Sequence, residues 1–117
     1  MNIEMVRNYC LAKKGVTESL PFDEVSPVYK VMGKMFLILS IDLPHSMNVK
    51  CDPEIAIELR ERYDAVMPGY HMNKIHWNTV MLDGTIPDKL IYEWIDDSYN
   101  LIVSNLKKSL IEELKKL

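Results

Sequence analysis

The chain has 117 residues, 48% hydrophobic and 26% charged, with a formal charge of −3. That length is one domain, able to bury roughly two-thirds of its unfolded surface without staples. The mild negative charge excludes a protein that coats nucleic acid by cationic excess alone, although it leaves room for a local basic face.

Asn2 is suited to cap a first helix that carries Ile3, Val6 and Cys10 at three- and four-residue spacing. Lys13 and Lys14 suit its negative end, and Gly15 a left-handed stop. Residues 17–22 predict irregular structure, with Pro21 and Pro27 opposing helix. Residues 28–32 are β-branched and aromatic, so a strand is expected. Gly33-Lys34 then forms a two-residue type II′ hairpin turn, with glycine at positive φ. Residues 35–41 are the most apolar run and predict a central strand. A turn at 42–45 leads to a third antiparallel strand at 47–51.

Asp52-Pro53-Glu54 is a helix start: a capping carboxylate, proline in the first turn, then an acid. Ala56, Leu59 and Tyr63 share one face of that helix. Pro68-Gly69 breaks the chain, and residues 77–82 resume strand character before the Asp83-Gly84 turn. From Pro87 a long helix carries Leu90, Ile91, Trp94, Ile95, Tyr99, Ile102 and Leu106 as its buried stripe. Ser109 with Glu112 resembles a capping box, so residues 107–117 form a C-terminal helical extension, either separate or continuous. Short hairpins dictate antiparallel pairing, and the helices must cover one face to bury it. The fold class is α+β: one antiparallel sheet with helices mainly on one side, in a single domain spanning 1–117.

The two cysteines, Cys10 and Cys51, lie far apart and outside any CxxC pair, as expected of reduced thiols in a cytoplasmic protein. No signal-peptide pattern and no run of about eighteen apolar residues occurs, so no membrane partner is expected. His71 and His76 are five apart without a second close ligand pair, which predicts hydrogen-bonded or exposed histidines and no metal. Cys51 precedes the acid Asp52, which opposes thiolate formation, so a small buried hydrophobe is the expectation there. No GxGxxG, phosphate loop or GxSxG elbow occurs, so no cofactor is expected and nothing names an enzyme.

The densest polar-aromatic stretch is residues 68–80, PGYHMNKIHWNTV. It holds Tyr70, His71, Asn73, Lys74, His76 and Trp77, and Lys74 is the only formal charge from residue 65 to 82. Lys30 and Lys34 bracket the first hairpin and Lys50 ends the third strand. Lysines on hairpins beside amide, imidazole and aromatic groups suit phosphates and base edges. The bland alternative has the lysines solvated, Asn73 and Asn78 fixing turns and Trp77 in the core.

VYKVMGKMFLIL, VKCDPEIAIELRERY, MPGYHMNKIHWNTVMLDGTI and DDSYNLIV together resemble the MmcQ/YjbR-like family, from about residue 17 to 106. The resemblance implies a small bacterial cytosolic domain with a frataxin-related α+β fold. The family is commonly labelled DNA-binding because its hairpins look like a double wing, and its activity is largely uncharacterised. The matching positions are Pro21, Phe22, Lys30, Gly33, Lys34, Lys50, Pro53, Pro68, His71, Asn73, Lys74, His76, Trp77, Asn78, Ser98 and Tyr99. Ile75 stands where members often have a basic residue, and Asp23 where glycine is frequent.

Two functions follow. One is a monomeric DNA-binding module using Lys30, Lys34, Lys50, Tyr70, His71, Asn73, Lys74, His76 and Trp77. The other is a small-anion or protein-binding domain, or an enzyme without a recognised motif, with His71, Asn73, Lys74 and His76 lining a cleft.

Overall fold

Two of the helix starts read from the sequence, at Asn2 and Asp52, appear in atomic detail in the computed structural model, which describes residues 1–117. The Asn2 side chain accepts from the Met5 N–H at 2.8 Å, opening α1 (Ile3–Leu11). The Asp52 carboxylate accepts from Glu54 and Ile55 at 3.0 and 3.4 Å, opening α2 (Pro53–Arg62). The other elements are β1 (Val16–Ser19), β2 (Val28–Val31), β3 (Lys34–Ser40), β4 (Ser46–Lys50), β5 (Val66–Pro68), β6 (Trp77–Met81), α3 (Asp88–Ser104) and α4 (Lys108–Lys115). They make one six-stranded sheet of order β1-β2-β3-β4-β6-β5, antiparallel throughout. No helix is long and apolar enough to cross a membrane.

Strand alternation divides the sheet into two faces. Leu37 pairs with Val49, Leu39 with Met47, and Met47 with Val80, and all five are in the main core. Trp94, Ile95 and Ile102 of α3, Val6 and Cys10 of α1 and Leu114 of α4 pack into the same cluster. The helices therefore share one face, and the other is helix-free. Trp94 lies beside Val49 and Val80, with its ring edge-on to Tyr63 at the end of α2, while Phe36 meets Tyr99 edge-on at 5.4 Å.

A β-bulge joins the two layers. Opposite the Tyr29–Lys30 step, β3 carries one residue more, Phe36, so Phe36 and Leu37 are both fully buried. A bulge interrupts the ladder, and the Phe36 carbonyl finds its partner elsewhere. The buried Ser98 hydroxyl of α3 donates to it at 2.5 Å and accepts from the Lys50 N–H at 2.9 Å.

Several local expectations change. The hairpin loop is Met32-Gly33, with φ of 49° and 84°, the two positive angles of a type I′ turn; Lys34 already pairs with Val31. Within the stretch expected to be irregular, residues 16–19 form an edge strand. It is held from the helix side by Arg7, which donates to Glu18 at 2.8 and 3.2 Å, and by the Tyr29 hydroxyl at 2.6 Å. α1 is capped at Ala12, and Gly15 takes its positive φ three residues later, where a Cβ would meet Leu114 at 2.7 Å. α4 is a separate helix with no side-chain cap, so the Ser109–Glu112 box does not form.

Candidate functional site

The helix-free face carries a groove. Register places Lys30, Met35, Ile38, Asn48, Lys50 and Thr79 on that face, because each alternates with a residue packed toward the helices. Two loops rise over this face and enclose the groove, of about 740 Å³. One wall carries Phe22 and Leu43, and the facing wall carries Tyr70, His71 and Met72. Between them the floor is methionine and aliphatic surface with a few uncharged polar groups, among them Asn48 and Thr79. Phe22, Leu43 and Tyr70 are 70%, 83% and 68% exposed, a large apolar area to leave in water without a partner.

The wall bearing Tyr70 is rigidly built. Gly69 donates to the Trp77 carbonyl at 2.8 Å, and a Cβ on it would meet Trp77 Cβ at 2.8 Å, so glycine is required there by close approach. The Tyr70 N–H donates at 2.9 Å to the Thr79 hydroxyl, which in turn donates to Asn48 Oδ1. His71 sits at φ 58°, with its ring 4.0 Å from that of Tyr70. Asn73 Oδ1 accepts from the N–H groups of Ile75 and His76, an Asx turn. From α2, Arg60 donates to Asn78 Oδ1 at 2.7 Å, to the Trp77 carbonyl at 3.3 Å and to the Lys74 carbonyl. A planar guanidinium spreads its donors over several acceptors at once, a fork that the compact ammonium of a lysine does not reproduce.

These contacts sort the residues singled out by sequence. Tyr70 and His71 face the groove. Trp77 is buried, at 8% exposure, and presents no ring face for stacking. Asn73 spends its carbonyl oxygen on the turn, and Lys74 Nζ donates to the Gly69 carbonyl at 3.1 Å. His76 is half-buried and outside the groove lining. Lys30 and Lys50 stand on the helix-free face, Lys30 paired with Met35 and Lys50 with Trp77, and Lys34 is exposed beside the hairpin tip. The expected convergence of His71, Asn73, Lys74 and His76 on one cleft does not occur, because only His71 reaches the groove.

The groove lining contains no lysine or arginine and two acids, Asp23 and Asp42, so it does not suit an anion. A second hollow of about 350 Å³ lies between α2 and α3, lined in part by Cys51, Asp52 and Asp97. Burial, then Glu93 and Asp96, hold the Asp97 carboxyl above the usual range. That hollow too repels anions. No three His, Cys, Asp or Glu side chains gather as a metal site. Both thiols are free: burial pushes Cys10 up to about 12, and burial with Asp97 and Asp52 pushes Cys51 up to about 11.

Sequence reasoning missed Arg60 and the wall formed by Phe22 and Leu43. Arg60 lies 18 residues from Asn78, and nothing local links the two. Phe22 carried one signal, a large aromatic between Pro21 and two acids in a loop.

The chain is thus an α+β domain with one helix-covered and one grooved, helix-free sheet face. It belongs to the YjbR family, whose family model matches residues 11–101. It is 35% identical over 117 residues to the uncharacterized protein YjbR of Escherichia coli strain K12, covering 96% of this chain and 99% of that one. It is also 44% identical over 55 residues to the uncharacterized protein YyaQ of Bacillus subtilis, 47% of this chain and 46% of the relative. The crystal structure of Deinococcus radiodurans protein DR2400, a DUF419 domain, superposes with a TM-score of 0.91 at 36% identity, covering 97% of this chain and 88% of that one. A Pseudomonas syringae protein superposes at 0.77 and 28% identity, covering 86% and 98%.

Proposed function

We propose that this domain binds DNA through the helix-free face of its sheet. The observation that carries the reading is the distribution of charge. Strands β2 to β6 contain Lys30, Lys34 and Lys50 and no acid. The one acid in the sheet, Glu18 on β1, faces the helices and is paired with Arg7. The other acids lie on helices, caps and loops. A net-acidic protein therefore turns Lys30 and Lys50 outward at the hairpin end of the helix-free face, the electrostatic footprint of a polyanion contact. Lys30 and Lys50 lie two strands apart, about 10 Å from the usual strand spacing. That is close to one Debye length at 0.1 M salt, so they act on a phosphate backbone together.

Lys30 and Lys50 neutralising two phosphates release counterions with a slope of about −1.8 in log K against log salt on a duplex, because Lys34 pairs with Val31 and shares the face of that core residue. Lys74 adds less, because its ammonium already has the Gly69 carbonyl. Fluorescence anisotropy across a salt series tests this. Lys30→Ala or Lys50→Ala should flatten the slope by about 0.9 each. No binding at about 100 μM protein and low salt, the weak end of ordinary non-specific affinity, would end the proposal.

A further inference from the structure

We infer that the groove receives unpaired bases, so that the domain prefers single-stranded DNA to a duplex. This rests on the DNA-binding reading and names the form of nucleic acid that the same face takes.

Three features lead there. First, the groove and the lysines are adjacent but chemically separate. Met35 lines the groove and pairs with Lys30, and Asn48 lines it two residues before Lys50 on the same face. Inside there is no cation and there are two carboxylates; outside, at the hairpin end, stand the lysines. A phosphate is attracted to the rim and repelled from the interior, whereas an uncharged base has the opposite preference. Strand polarity of this kind orients a nucleotide with its backbone out and its base in.

Second, the interior fits a flat, uncharged ring system. Its volume of about 740 Å³ lies within the range of about 300–1,000 Å³ usual for small-molecule sites. Phe22 and Tyr70 expose their rings on facing walls, and exposed aromatic rings beside a basic track are how single strands are held without sequence readout. Met35, Met67, Met72 and Met81 supply a polarizable lining that adapts to rings of different size. Asn48 gives its Oδ1 to Thr79, which leaves its NH₂ for a base edge.

Third, a duplex cannot use these features. Its base faces are stacked on neighbours and its Watson–Crick edges are occupied, so only its phosphates would meet the protein. Unpaired bases gain contacts that paired ones lack.

The test is anisotropy with a labelled single strand of about twelve nucleotides, within the usual site sizes, and the same strand annealed to its complement, at equal salt. The single strand should bind more tightly. Tyr70→Ala or Phe22→Ala should weaken its binding by about 5- to 150-fold, the range of base–aromatic stacking. Their salt slope should not change, because neither residue releases a counterion. Ile75→Ala, as exposed and on the same turn but outside the groove, should bind like the parent. Equal affinity for the two forms, or single-strand binding indifferent to Tyr70 and Phe22, would overturn this inference while leaving DNA binding intact. No binding of either form would overturn the proposed function beneath it.

Discussion

Removing one hydroxyl, in Ser98→Ala, should destabilise the fold far more than its size suggests. The bulge at Phe36 leaves a carbonyl outside the ladder, and the last N–H of β4, on Lys50, lies beside it. Ser98 Oγ serves both at once, donating at 2.5 Å and accepting at 2.9 Å, from a side chain with no solvent exposure. The alanine variant leaves a buried acceptor and a partly buried donor unpaired. Each orphaned group costs about 1–3 kcal/mol, so the expected loss is about 2–6 kcal/mol. For a domain whose whole stability is on the order of 5–15 kcal/mol, that is a large share. With a urea m-value of about 2 kcal/mol/M, the midpoint should fall by about 1–3 M with m unchanged. Ser104→Ala is the control: its hydroxyl is exposed and bonds only to Leu101 of its own helix, so a change within about 0.5 kcal/mol is expected. If Ser98→Ala moved the midpoint no more than Ser104→Ala, the claim that α3 is pinned to the sheet through the bulge would be wrong.

Arg60→Ala and Arg60→Lys should both loosen residues 69–76, since neither restores the forked contacts to Asn78, Trp77 and Lys74; faster amide exchange confined to that turn is the readout. Native protein at pH 8 should react slowly with a thiol reagent at both Cys10 and Cys51, and urea-unfolded protein rapidly at both; fast native labelling of Cys51 would contradict its raised pKa. Hydrogen bonds from Arg7 above all, opposed by burial and supported by Tyr29, hold the Glu18 carboxyl below the ordinary value of 4.5. Its stabilising contribution is therefore complete above that value and is lost as pH falls through the lowered one. Glu18→Gln should remove that part of the acid sensitivity, which urea midpoints measured from pH 6 down to 3 would report; an unaltered acid limb would refute it.

What could be read from the chain followed the range of the interactions involved. Asn2, Asp52 and the stripe on α3 act within one or two helical turns, so their pattern is written locally. β1 and β5 are edge strands of four and three residues, defined by the partner each one meets. Val16–Ser19 has no run of alternating apolar residues, and Val66–Pro68 ends in proline. The hairpin was legible, but its loop was displaced by one residue, because Lys34 becomes a strand residue only through its pairing with Val31. The bulge at Phe36 left no sequence trace. In the candidate site, the clustering of residues 68–80 was visible, but its division into exposed Tyr70 and His71 and buried Trp77 depends on Gly69, Arg60 and the Asx turn. The groove floor was out of reach, because placing Ile38, Asn48 and Thr79 on one face requires the register of three strands.

The most direct measurement is a titration of ¹⁵N-labelled protein with a short single-stranded oligonucleotide at low salt, followed by amide chemical shifts. The largest changes should fall at Lys30, Met35, Asn48, Lys50, Tyr70 and His71, all on the helix-free face or over it, with the outer surfaces of α2 and α4 unmoved. Changes confined to the helices, or a spectrum unaltered at about 1 mM oligonucleotide, well above the usual non-specific range, would contradict DNA binding through that face.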